Sequence, residues 1–261
     1  MLKTSLGRKA LSDSVPRRNN MPPYLPFVPL FIWFGAVSLA ISGTEKLLPD
    51  LLDWQKALLD NLILCIGAIM AMAVIIFLAR VSFARRLRGF GLNAKNIHKD
   101  FFAASVNLLS VWPLLILMII LTTFFGKLIW GQDFKIEQHE ELRTIIAYQQ
   151  LSVRILIFIT AVIIAPAVEE MLFRGMFQTM LRSSFEVRIS KFKIRNGAWL
   201  AIVTSSGLFA MTHANAGHWP ALFVLSVCMG YAYEKSGSLL RPIFIHSLFN
   251  ATSIIGTLYN I

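Results

Sequence analysis

Three groups of polar residues stand where their neighbours make them costly. Glu169, Glu170 and Arg174 lie in APAVEEMLFRG (165–175), directly after the apolar run LIFITAVII. His213 closes the stretch SSGLFAMTH, and His246 and Asn250 share HSLFN (246–250). Ionisable groups next to lipid-like sequence are candidates for function by default. Residues four apart share a helix face, so Glu170 is expected to pair with Arg174. Glu169 points about 100° away and is left without a local partner. An unpaired carboxylate in a semi-dry site suits a general base. The spacing of four also puts His246 and Asn250 on one face of the last helix, and polar groups at that depth should face the bundle rather than lipid.

These residue types select among chemistries. Glu with His can orient and deprotonate a water; His with Asn can donate hydrogen bonds to a developing oxyanion. Together they would equip a hydrolase acting on an amide. The same Glu169, His213 and His246 could instead hold a divalent metal, zinc or cobalt, with an open position for water. Sequence alone leaves both open. There is no G-x-S-x-G nucleophile motif and no HExxH zinc motif. His218, in NAGHWP, reads as a structural loop residue.

The elements that must position these residues are membrane helices. The chain has 261 residues, of which 56% are hydrophobic and 15% charged, against about 25% charged in a soluble domain. The apolar runs are continuous rather than alternating, which argues against a β-barrel. The expected fold is all-α: a polytopic transmembrane bundle of about seven spans (six to eight), near 27–43, 60–79, 104–125, 151–168, 198–213, 219–233 and 242–259. Three regions are expected: a basic cytoplasmic tail (1–26), N-terminal transmembrane helices (27–149) and a helical core carrying the motifs (150–261). The first run reads as a retained helix rather than a leader. The fourth apolar run stops at 168, so its helix is expected to end near the glutamates, with a short amphipathic helix following the motif over 176–185. Acids are disfavoured at a helix C-terminus, and Pro166 offers the break that such an end needs.

The net charge of +11 comes with no nucleic-acid recognition motif, so no nucleic-acid partner is expected. With the N-terminus in the cytoplasm, nineteen Lys and Arg fall on inside segments and five outside, as the positive-inside rule requires. Cys65 and Cys228 lie within apolar runs and read as small buried side chains. One tension follows. Glu169 would sit near the cytoplasmic end of its helix, whereas His213 lies some fifteen residues into its own span, or roughly 22 Å.

EExxxRG, FxxxH and HxxxN, in that order on successive apolar helices over about 165–255, resemble the CPBP family. That family includes type II CAAX prenyl endopeptidases and bacterial bacteriocin-processing and lysostaphin-resistance-like proteins. The resemblance implies an intramembrane peptidase of the bacterial inner membrane, embedded in the lipid bilayer and acting on a peptide or membrane-protein substrate near the cytoplasmic side. It would make Glu169 the catalytic glutamate, working with His213 on the attacking water. His246 and Asn250 would form the oxyanion side, with Glu170 and Arg174 in support. The family has been read as glutamate-dependent and as metal-dependent. Two other readings remain: a non-catalytic regulator or immunity protein that retains the motifs, and a proton-coupled transporter. The latter should show inverted repeats, and none is visible.

Overall fold

The computed structural model describes residue 19 and residues 21–190 and 197–259. Most of the expected basic tail, and part of the loop before residue 197, lie outside the described residues. The described chain is helical, its one β-type pairing being an isolated bridge between Asn19 and Phe83. Three long apolar helices come first: α1 (Phe27–Leu47), α2 (Asp53–Ser82) and, after the short α3 (Arg86–Phe90), α4 (Ile97–Trp130). At the start of α2 the Gln55 side chain accepts from the Leu52 N–H at 3.1 Å, satisfying a donor that the helix leaves open.

A loop and the short α5 (Glu140–Ala147) lead to α6, which departs from the expectation. Five segments follow one another without a break: Leu151–Ile159, a π-helical Thr160–Ile164, Ala165–Glu170, a second π-helical Met171–Gln178, and Thr179–Ser190. The helix therefore neither ends at the glutamates nor restarts as a separate amphipathic helix. Two features let it continue. The charges find partners, as described below, so the backbone need not deliver them to water. The proline is also accommodated. In a π register, residue 166 would serve the carbonyl of residue 161; Pro166 has no N–H, and Asn250 Nδ2 donates to Ala161 O instead, at 2.8 Å. The chain past the motif tucks into the bundle, with Met171–Met180 and Arg182 buried.

The chain closes with α7 (Gly197–Met211), α8 (Trp219–Ser236) and α9 (Leu240–Tyr259). α4 packs against both α8 and α9, and α8 packs against α7. One hydrophobic core runs from Met21 to Ile245, and a smaller cluster of Ile145, Val153, Ile157 and Ile254 joins α5, α6 and α9. At one end of the bundle, buried Asp100 accepts from Ser238 Oγ and Arg241 Nε, both at 2.7 Å. Tyr233 donates to Phe90 O there at 3.2 Å.

Among the described residues four helices are long and apolar enough to cross a bilayer: Phe27–Leu47, Asp53–Ser82, Ala94–Trp130 and Leu151–Ser184. α7 is apolar but shorter. Large side chains such as Phe31, Phe77, Leu109 and Trp130 are exposed on α1, α2 and α4. That is the inverse of a soluble surface and suits lipid. The architecture is that of an integral membrane protein.

Candidate active site

α6 carries the site on two faces. One face bears Glu170, Arg174, Gln178 and Arg182 at intervals of four. It runs alongside α8, which bears Ser226, Gly230 and Glu234 at the same interval. The two stripes meet rung by rung. Arg174 Nη2 donates to Ser226 Oγ at 2.6 Å and Ser226 O at 3.0 Å. Gln178 Nε2 donates to Gly230 O at 3.1 Å, and Arg182 Nε to Glu234 Oε1 at 3.0 Å. The partners differ by 52 positions at each rung, so the two helices run parallel in register.

The top rung extends toward α9. Glu170 Oε1 accepts from Arg174 Nη1 at 2.7 Å and from His246 Nδ1 at 3.0 Å. Glu170 and Arg174 are within 1% of full burial, and a buried charge pair survives only with such added hydrogen bonds. Phe209 covers the assembly. Its ring lies 4.7 Å from the Arg174 guanidinium carbon, 5.6 Å from the His246 ring and 4.9 Å from the His213 ring. The glycine after Arg174 has a packing cause, because a Cβ on Gly175 would overlap the Phe90 ring.

The other face of α6 presents Glu169 and Phe173 to a cavity of about 1120 Å³. His213 lines the same cavity, so the structure brings Glu169 and His213 to one space. The depth tension dissolves because α6 continues well past the acids. Glu169 sits near the middle of the Leu151–Ser184 span, not at its end. Glu169 Oε2 lies 3.9 Å from His246 Nε2, beyond direct hydrogen-bond reach. It is buried and takes no hydrogen bond from the protein.

Both imidazoles are fixed through Nδ1. His213 Nδ1 lies 3.0 Å from Phe209 O; a carbonyl only accepts, so Nδ1 carries the proton and Nε2 presents a lone pair. The Trp219 indole donates to His213 O at 2.8 Å and holds the turn. His246 gives its Nδ1 proton to Glu170, which leaves Nε2 toward Glu169. Asn250 does not join them at the cavity. Its amide is committed to Ala161 O, and neither Asn250 nor His246 lines the large cavity.

Sequence reasoning missed several participants. Ser226 and Phe209 complete the Arg174 cage, and only the ladder spacing on α8 signals the first. The loop before α5 also contributes. His218 Nε2 donates to Glu137 O at 2.7 Å, and the His139 ring stacks on His218 at 3.9 Å. His139 also stands edge-on to His213 at 6.2 Å. Residues 131–139 thus form a strap over the cavity, and His218 is its anchor. Burial, followed by repulsion from His218 and His213, pushes the His139 imidazole down to about 4.

The alternative of a metal held by Glu169, His213 and His246 finds no gathered ligand set: among the described residues no three His, Cys, Asp or Glu side chains converge as ligands.

Residues 151–252 match the family model for type II CAAX prenyl endopeptidase Rce1-like proteins. No curated protein and no solved structure matches the chain. The match covers all three motifs and α6 through most of α9, and it supports a CAAX-type membrane peptidase.

Proposed function

Starting from an Rce1-like domain over residues 151–252, we propose that the protein is an intramembrane endopeptidase. It hydrolyses peptide bonds of membrane-associated or peptide substrates by a Glu169-activated water. The observation that carries this reading is the difference between two adjacent acids. Glu170 is locked through Oε1 to Arg174 and His246 and lines neither cavity wall, whereas Glu169 lines the large cavity and is held by no protein donor.

In this mechanism the substrate strand lies in the large cavity. A water donates one hydrogen to Glu169 and the other to the bare Nε2 of His213. Glu169 takes the proton as the water oxygen bonds the scissile carbonyl carbon. The tetrahedral species collapses, the C–N bond breaks, and the same proton passes to the leaving nitrogen. His246 Nε2, 3.9 Å from Glu169 Oε2, faces the carboxyl group as it gains and loses that proton, and Glu170 keeps the ring turned that way. On this reading His246 and Asn250 support the reacting groups from behind rather than contacting the oxyanion. Positioned acid–base groups of this kind contribute about 100- to 10,000-fold.

The test is a comparison of wild type with Glu169→Ala, each in lipid nanodiscs, by mass spectrometry of peptides released from a membrane-protein mixture. Wild type should generate new termini and the variant none. Identical peptide sets from the two proteins would sink the proposal. The non-catalytic alternative is separated by complementation in cells: a regulator that merely keeps the framework works with Glu169 and His213 both replaced, and a peptidase does not.

A further inference from the structure

A second, smaller cavity also reaches Glu169. Its volume is about 110 Å³, and its wall includes Asn61 of α2, Glu141 of α5, and Ile157, Thr160 and Glu169 of α6. Glu169 and Glu141 line both cavities, so the two spaces meet at these carboxylates. Trp33 of α1 lines both as well. The small cavity sets the Thr160 hydroxyl, the Asn61 side chain and the two carboxylates among apolar neighbours such as Leu64, Ala68 and Ala165.

Thr160 is the informative residue. In helices of this protein Ser105, Ser110, Thr122, Thr123 and Thr257 all turn their hydroxyls back onto the carbonyl four residues earlier, at 2.8–3.1 Å. That is the ordinary way to satisfy a hydroxyl in lipid. Thr160 does not do so. Its Oγ1 is buried and has no protein partner, and it opens the first π-helical segment, a local geometry frequent at functional sites. Glu169 Oε2, on the same cavity, is likewise buried and unpartnered. Two such atoms on one small cavity mark a water site, because buried polar groups are satisfied by protein or by ordered water. The space holds about three waters at roughly 30 Å³ each.

We infer that this cavity is a water store behind Glu169, held by Thr160 and Asn61, that supplies the attacking water while substrate fills the large cavity. The inference rests on the hydrolytic reading above. Its physical need is plain: a peptide seated in the large cavity shuts Glu169 off from solvent on that side, and the hydrocarbon around the bundle provides no water. Thr160 is a positioning residue here, acting through the water it holds.

Hydroxyl-radical footprinting of the protein in nanodiscs tests the site without any substrate. Three isoleucines, Ile157, Ile75 and Ile202, are all at 0% exposure, and of these only Ile157 lines the small cavity. Bound water should make Ile157 oxidise several times faster than the other two. Thr160→Val should bring it down to their rate, and Thr160→Ser should restore it, with the thermal midpoint unchanged in all three proteins. Equal labelling of the three isoleucines in wild type would overturn the inference. A kinetic arm follows once a cleaved peptide is in hand: Thr160→Val should lower kcat about tenfold with KM unchanged, and Thr160→Ser should recover it. An unchanged kcat in the valine variant would also overturn it. If Ile157 labels as expected and no peptide is cleaved by wild type, the water site stands and the proposed hydrolysis falls. If cleavage occurs and Ile157 stays unlabelled, the reverse holds.

Discussion

The two faces of α6 are built to opposite rules. Toward α8, Arg174, Gln178 and Arg182 each meet a partner 52 positions on, and Glu170 binds two donors at once. Toward the cavity, Glu169 has open space, an imidazole just out of reach and no protein donor. The first face spends its charge on holding helices together; the second leaves it available. The contrast teaches that burial of a charged residue says little about its use. What separates framework from chemistry here is whether the charged group is held by an opposite charge or faces a cavity without one.

Exchanging one acid at a time probes this contrast most directly. Glu169→Gln keeps the shape and removes the proton acceptor. It should cut peptide hydrolysis by about 100- to 10,000-fold and leave thermal unfolding in detergent nearly unchanged. Glu170→Gln should do the opposite in kind. It strands Arg174 in a dry site, and breaking a buried pair costs about 3–5 kcal/mol, so the unfolding midpoint and expression level should fall sharply. Should both variants unfold alike, with neither selectively inactive, the division between the faces is wrong.

Much of this was legible in the sequence because it depends on spacing. The Glu170–Arg174 pair, the isolation of Glu169 and the shared face of His246 and Asn250 all follow from the helical period. The helical membrane class follows from the length of the apolar runs. What spacing could not give was partner choice across helices. Asn250 looked like an oxyanion donor because nothing local shows that Pro166 frees the Ala161 carbonyl. Nor did the acids end α6, because Glu170 and Arg174 neutralise each other and their remaining hydrogen bonds are made by His246 and Ser226, 76 and 52 positions away. The strap histidine His139 carried no motif and became visible only when the loop folded back on His218.

The packing of the framework face can be stressed more gently. Gly175→Val should crowd the Phe90 ring, and overpacking costs about 1–3 kcal/mol, read as a lower midpoint with Glu169 chemistry retained in the folded fraction. Asn250→Leu removes the hydrogen bond to Ala161 O. Interhelical hydrogen bonds in membranes average about 0.6 kcal/mol, so its stability loss should be smaller still. A larger effect on kcat than on stability in Asn250→Leu would show that the π segment at Thr160–Ile164 must be held for catalysis.

The smallest expected effect concerns the cavity face and its strap. His139 is held near an imidazole value of about 4, first by burial and then by the adjacent His218 and His213, whereas in an opened loop it would titrate near the ordinary imidazole value of 6.5. The opened form therefore binds more protons between those values, and stability of the closed strap must fall as pH drops through that window. Above about 6.5 both forms carry a neutral ring and the contact is complete. Hydrogen–deuterium exchange over residues 131–139, corrected for intrinsic rates, should be faster at about pH 5 than at about pH 7.5, while α6 and α8 stay equally protected. His139→Phe keeps a ring against His218 and removes the titration, so it should flatten the difference. Equal protection at both pH values in wild type would mean that the strap is held by the Glu137 carbonyl contacts alone, and that the cavity face, like the framework face, is closed by bonds that do not titrate.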